Sequence, residues 1–279
     1  MASRIVQVDT PLGPGRFFVD PAEQPSSILV LGHGAGGGVG AADLELLARS
    51  LPKLGSTVVR FEQPWRTAGR KVGPPPPRLD EAWTAALGWL VEQEWAQHRL
   101  VVGGRSAGAR VACRTASNTK AAAIVCLAFP LHLPGRPEKS RLSELLAAAQ
   151  PRLVLQGSKD SFGTGEEIRA AIGGLPGIAV VDLPGADHSY RIAARSAASG
   201  ASNRTGIARR RAEEEGVDNA SPSVSDDEVG GIAARSAASG ASNRTETARS
   251  TPFTPVDLRT TLVTEISRFI GAVTGITIP

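Results

Sequence analysis

At 279 residues, with 41% apolar side chains, the chain has room for one α/β domain or two small ones and the composition of a globular protein. A net charge of +4 is that of a mildly basic protein and calls for no nucleic-acid or membrane partner. No apolar run is long enough to span a bilayer, and Met1-Ala2-Ser3-Arg4 opens no signal-peptide core, so a cytoplasmic location is expected.

Aromatic residues make up only 4% of the chain, so the core must be built from Leu, Val, Ile and Ala. The runs Ile5–Val8 and Arg16–Val19 flank Pro11–Gly15 and predict an antiparallel hairpin at a sheet edge. Ile28–Leu31 is apolar throughout, as a strand buried on both faces should be. Leu44, Leu47, Leu51 and Leu54 recur at helical spacing and stop at Gly55. Thr57–Phe61 reads as the next strand, and Pro74–Pro77 argues against regular structure there. Trp83, Leu87 and Leu90 then set an apolar stripe on a helix, and His98 falls at a helix end. Further strands are predicted at Leu100–Gly103, Ala123–Phe129, Arg152–Gln156 and Ala179–Leu183, with helical patterns between them. This alternation predicts an α/β fold with a mostly parallel central sheet and helices on both faces. Cys113 and Cys126 sit in apolar surroundings and read as buried reduced thiols, not a disulfide or a metal site.

From Arg191 to Thr251 the pattern breaks. Ile192–Thr205 is repeated without change as Ile232–Thr245, a 14-residue repeat, and the stretch holds no Leu, Phe, Trp, Tyr or Met. Such a composition cannot bury enough apolar surface to offset ordering entropy, so a disordered insertion is expected over 191–251. Its charges are blocked, arginines over Arg191–Arg211 and acids over Glu213–Glu228. The neighbouring acids would compete with phosphate for those arginines, which argues against a nucleic-acid arm. Folded pattern resumes with Thr254 as N-cap, Pro255 as first helical residue and Asp257 at the capping-box position. Leu258, Leu262, Ile266 and Phe269 form the stripe of a last helix. One domain, 1–190 plus 252–279, is therefore expected around the insertion.

The chemistry is carried by Gly104-Arg105-Ser106-Ala107-Gly108, which follows the strand-like Leu100–Gly103 and precedes a helix-like run from Ala109. A serine between two glycines at a strand-to-helix turn can occupy a strained position with its hydroxyl exposed. The pattern alone is weak in a glycine-rich chain. It gains weight from what lies around it. His188 follows the last predicted strand, and Asp160 follows Arg152–Gln156 through a short turn. Loops at the carboxyl ends of parallel strands gather on one edge, so the three can meet. A serine needs a base to lose its proton, and the base needs a carboxylate to fix its tautomer. Asp187 adjoins His188 and ranks below Asp160, because neighbours in sequence rarely face one another. Glu166 and Glu167 belong in the first turn of a helix. Upstream, Gly32-His33-Gly34-Ala35-Gly36-Gly37-Gly38 follows the strand Ile28–Leu31. It can supply an oxyanion hole from amides in Gly34, Ala35 and Gly36, completed by the amide of Ala107. A phosphate-binding loop is the rival. No acid stands at a suitable strand end, no Lys-Ser or Lys-Thr follows, and that reading leaves Ser106 and His188 unexplained. His33, Arg105 and His132 are candidate pocket-lining residues.

With Arg60-Phe61-Glu62-Gln63-Pro64-Trp65, Phe129-Pro130-Leu131-His132 and Gly185-Ala186-Asp187-His188 added to these stretches, the chain resembles the α/β-hydrolase superfamily and its dienelactone-hydrolase-like members. Most of all it resembles the small hydrolase-like proteins related to the testis-expressed and NSL-complex-subunit family. The resemblance implies an α/β-hydrolase fold with a minimal cap, and Ser106, Asp160 and His188 as nucleophile, acid and base. The expected function is a serine hydrolase acting on a small-molecule ester, thioester or related acyl substrate, with no metal or organic cofactor. The alternative is a hydrolase-fold interaction scaffold with little turnover. Nothing in the sequence fixes an oligomeric state.

Overall fold

The computed structural model describes residues 3–193 and 252–275. Its first strands, β1 (Arg4–Thr10) and β2 (Gly13–Asp20), pair antiparallel as the expected edge hairpin. β2 runs antiparallel to β4 (Ser56–Glu62). From there the sheet is parallel through β3 (Ser27–Gly32), β5 (Arg99–Arg105), β6 (Ala123–Leu127), β7 (Arg152–Gly157) and β8 (Ile178–Leu183). The order across the sheet is β1-β2-β4-β3-β5-β6-β7-β8. The chain has the α/β-hydrolase fold that its motifs implied.

The central strands are apolar without alternation because both sheet faces are covered. On one face lie α3 (Pro76–Leu90), α4 (Ala107–Thr115), the single-turn α5 (Leu142–Leu145) and α6 (Gly165–Ile172). Their Trp83, Leu87, Ala112, Leu145 and Ile168 pack with Phe17, Val30, Val102 and Ile124. The other face carries α1 (Ala42–Ser50) and α7 (Pro255–Thr274). There Leu44, Leu47, Leu258, Leu262 and Ile266 cover Leu31, Val101, Val125 and Leu155. α2 (Pro64–Thr67) is a single turn after β4.

Local signals explain most element ends. The leucine stripe after Ala42 tightens into a 3₁₀ turn over Leu51–Leu54 and closes on Gly55 at φ 83°. Thr254 and Asp257 form the expected capping box, with Thr254 Oγ1 accepting from the Asp257 amide at 3.2 Å and Asp257 Oδ2 accepting from the Thr254 amide at 2.8 Å. Thr164 and Glu167 cap α6 in the same way.

Three expectations need correction. The proline run is half helical, since α3 begins at Pro76; a proline in the first turn gives up an N–H that has no helical acceptor anyway. His98 ends no helix and lies in the turn before β5. β6 stops at Leu127, two residues early, because Ala128 turns to φ 47°.

Backbone pairing continues past residue 190, with a bridge between Ala186 and Ile192 and a bond from the Asp187 amide to Arg191 O at 3.0 Å. The rest of the 191–251 stretch, with its repeat and charge blocks, lies outside the described residues. Among the described residues no helix is long and apolar enough to cross a membrane. Cys113 and Cys126 are buried free thiols with their sulfurs 3.5 Å apart.

Candidate active site

The site begins with a contact between backbones. A Cβ on Gly104 would stand 2.5 Å from Gly32 O, and one on Gly108 only 2.3 Å from the same oxygen. The start of α4 can cross the ends of β3 and β5 at this distance only with glycine at both places. The G-x-S-x-G spacing is thus a packing requirement. Between the glycines, Ser106 sits at φ 52° and ψ −108°, a conformation that a non-glycine residue rarely adopts. Surrounding bonds hold it there: its amide donates to Leu127 O at 2.9 Å, and its carbonyl accepts from the Arg110 amide at 3.2 Å.

The loops after β7 and β8 bring the other two expected residues to Ser106. His188 Nε2 lies 3.0 Å from Ser106 Oγ. On the far side of the ring, His188 Nδ1 lies 2.8 Å from Asp160 Oδ2 and 3.0 Å from Oδ1. Asp160 is 3% exposed. Its carboxylate also accepts from the Phe162 amide at 2.8 Å and from Gln156 Nε2 at 2.9 Å. The Phe162 ring packs against the imidazole, with centroids 4.2 Å apart.

Asp187, the competing carboxylate, is taken up by its own loop. It accepts from the Ser189 amide at 2.8 Å, the Arg191 amide at 2.9 Å and Arg191 Nε at 3.0 Å. Burial pushes its carboxyl up, but these donors outweigh burial and hold it below the usual aspartate range.

A cavity of about 730 Å³ opens over Ser106 and His188, and Gly34, Ala35, Gly36 and Ala107 line it. The glycine loop passes directly over the serine turn: a Cβ on Gly34 would lie 3.7 Å from Ser106 Cβ. Ala107 is the first residue of α4, so its amide has no acceptor within the helix. Arg105 lines the cavity as expected, joined by Arg110 and Arg141, while Leu258 and Leu262 bring α7 into the wall.

His33 and His132 do not line it, which corrects their assignment. His33 is 4% exposed; its Nδ1 donates to Gly34 O at 2.9 Å and its Nε2 accepts from the Gln63 amide at 3.2 Å. Burial lowers its pKa, in keeping with a neutral ring that donates on one side and accepts on the other. This histidine ties the glycine loop to the turn after β4. His132 Nδ1 donates to Leu133 O at 2.9 Å, and its Nε2 stands 3.5 Å from Glu167.

Sequence reasoning missed two partners. Tyr190 is the only tyrosine of the chain and follows His188 by two residues, which was the available signal. Its buried hydroxyl donates to Leu155 O at 2.6 Å and accepts from the Ala128 amide at 2.8 Å. Asp43, buried in the first turn of α1, pairs with Arg105 at an Nη1 to Oδ2 distance of 2.7 Å. Nothing in the sequence connects those two, which are 62 positions apart.

A serine, an imidazole and a carboxylate bonded in series beside free helix-terminal amides can move a proton and stabilise a developing oxyanion. Comparison with known proteins places this arrangement in context. Residues 25–214 match the family model for an alpha/beta hydrolase domain. Among solved structures, the chain is similar to an α/β serine hydrolase without a lid from Xanthomonas campestris, at 25% identity and a TM-score of 0.55, covering 68% of this chain and 87% of that one. An α/β serine hydrolase homologue from Coxiella burnetii is 24% identical with a TM-score of 0.58, covering 67% and 90%. An esterase from Pyrococcus furiosus is 18% identical with a TM-score of 0.53, covering 67% and 82%. The last two likenesses are likenesses of fold. The family match spans well over half of the residues, and the chain belongs to the alpha/beta hydrolase domain family.

Proposed function

We propose that this protein is a serine hydrolase that cleaves a small ester, thioester or related acyl substrate through an acyl-enzyme. The observation that carries the reading is the unbroken series Ser106 Oγ, His188 Nε2, His188 Nδ1 and Asp160 Oδ2, with contacts of 3.0 Å and 2.8 Å at its two joints. Ser106 Oγ attacks the substrate carbonyl while His188 Nε2 takes its proton, and Asp160 orients and stabilises the imidazolium. The negative oxygen of the tetrahedral intermediate is held by the Ala107 amide together with amides of Gly34, Ala35 and Gly36. His188 returns the proton to the leaving group, whose bond to the acyl carbon breaks. A water then gives its proton to His188 and attacks the acyl carbon; the bond from that carbon to Ser106 Oγ breaks as His188 returns the proton to Oγ, releasing the acid and restoring Ser106.

The substrate class follows from the shape of the site. Between β6 and β7 the only helix is the four-residue α5, so among the described residues no cap domain stands over the cavity. An open mouth suits small or flexible acyl groups. Within the family we place the chain among the dienelactone-hydrolase-like members, nearest the small proteins related to the testis-expressed and NSL-complex-subunit group, on the motifs set out above. We take residues 1–190 with 252–279 as the catalytic unit, in support of which α7 lines the cavity through Leu258 and Leu262.

A fluorophosphonate probe tests the proposal. A single adduct on Ser106, absent in S106A and accompanied by hydrolysis of short p-nitrophenyl esters, is the expected result. A folded wild-type protein that takes no label and turns over no ester would leave the scaffold reading in its place.

A further inference from the structure

We infer that Arg105, anchored by Asp43, is a positioning residue that sets the His188 backbone at the distance from Ser106 that proton transfer needs. The inference rests on the serine-hydrolase reading above. Arg105 is the residue next to Ser106 in the chain, so its Cα is fixed by the same turn as the nucleophile. Its side chain crosses to the histidine loop, where Nη2 donates to the His188 carbonyl. Its Nη1 donates to Asp43 Oδ2 at 2.7 Å, and the guanidinium carbon lies 5.4 Å from the centroid of the Tyr190 ring. Among the described residues Arg105 is the sole donor to the His188 carbonyl and the sole cation paired with Asp43.

The arrangement is costly if it serves stability alone. The Arg105 and Asp43 side chains are 13% and 5% exposed, and taking both charges out of water offsets most of what their attraction returns. Burial pushes the Asp43 carboxyl up, and the Arg105 charge is the strongest influence opposing it. What the pair gains is geometry. A guanidinium is a rigid planar fork, so fixing one arm on the carboxylate fixes where the other arm can donate. The second oxygen of Asp43 accepts from the Leu44 amide at 3.0 Å, which fixes the carboxylate to the first turn of α1.

The histidine loop is thereby held at both sides of the imidazole. Through its hydroxyl Tyr190 pins the loop to β7 and to the residue just past β6, and Arg105 pins the His188 carbonyl to the serine turn. Asp160 orients the ring about its own bonds but does not fix the Cα from which the ring projects. A lysine at 105 would keep the charge beside Asp43 and lose the second arm.

The test compares R105K, R105M and the neutral pair D43L/R105M with wild type. The readouts are the rate of fluorophosphonate labelling at Ser106, kcat and KM for a p-nitrophenyl ester, and the melting temperature. Proton NMR of the imidazole N–H facing Asp160 is followed as well. All three variants are expected to lose on the order of tenfold to a hundredfold in kcat and labelling rate, as a small misplacement of a reacting group does, with KM within about twofold of wild type. The N–H signal should broaden in each. R105K should keep a near-normal melt, which separates positioning from stability. R105M strands a buried carboxylate, so if it fails to fold the neutral pair decides; if the pair also fails, R105K decides. Wild-type kcat and labelling in any folded variant of the three would overturn the positioning role while leaving the hydrolase reading intact. An unlabelled wild type would overturn both.

Discussion

Tyr190 and Ala128 lie 62 positions apart, and both have positive φ, 56° and 47°, where the tyrosine hydroxyl meets the alanine amide. The hydroxyl also reaches Leu155 O, so one phenol ties the histidine loop to β7 and to the residue that follows β6. Y190F removes that hydroxyl. Ala128 keeps a second acceptor, Leu155 O at 3.0 Å, which limits the loss to about 1 kcal/mol. A urea midpoint shift with an unchanged slope checks this. A modest fall in labelling rate should accompany it, because the loop that carries His188 loses one of its ties.

S106A should abolish probe labelling and lower kcat by several orders of magnitude, with an unchanged melting transition. Retained esterase activity in the purified variant would move the nucleophile elsewhere.

The two aspartates beside His188 make opposite predictions. D160N leaves an imidazole whose Nδ1 faces an amide, and a loss on the order of 10⁴ in kcat is expected. In D187N the amide oxygen can still accept from the Ser189 and Arg191 amides that Asp187 Oδ1 holds, and no bond to the His188 ring changes, so its kcat should stay within about threefold of wild type. A steady-state comparison of the two settles which carboxylate acts.

G108A should be among the most damaging conservative changes in the protein. Its methyl would meet Gly32 O at 2.3 Å, a backbone atom with no flexible end to swing aside. Such overpacking costs about 1–3 kcal/mol and often more, and here the strain lands on the serine turn. Soluble yield and labelling should therefore fall together. G36A, where a Cβ meets nothing within 4 Å, is the control that should fold normally.

Acid stability should depend on Glu144. Burial alone would raise its carboxyl, but bonds and charges from Arg110 and Arg114 outweigh burial and hold it below the usual glutamate range. A carboxyl with a depressed folded pKa adds stability that is full above its unfolded value, roughly 4.3, and is lost as pH falls through the folded one. E144Q should therefore lower the melting temperature at pH 7 and make little difference near pH 2. A difference that persisted unchanged to pH 2 would mean packing, not charge, accounts for the loss.

Much of this was legible in the sequence because two periodicities are physically distinct. Every strand lies within three residues of its predicted run, and the capping box at Thr254 marks the start of α7 in advance. The three residues of the series were readable from their place after strand ends, since parallel topology gathers those ends on one edge. What escaped has no local trace. The Asp43–Arg105 pair is made by tertiary packing between α1 and the serine turn, and neither residue type is unusual where it stands. His33 misled for a related reason: its position after β3 suggests the cavity, but its ring turns toward Trp65 and the Gln63 amide, and only the packed structure decides between the two directions.

The strained turn at Ser106 is imposed by the backbone around it, by Leu127 O, the Arg110 amide and the glycines on either side, and not by the hydroxyl. Removing the hydroxyl therefore leaves the recognition surface standing. On the proposed serine-hydrolase reading, S106A becomes a bait, able to retain an uncleaved compound that the wild-type protein would release as products. Passing a metabolite extract over the immobilised variant, and reading the bound fraction by mass spectrometry against the native protein, turns a dead catalyst into a route to the natural substrate.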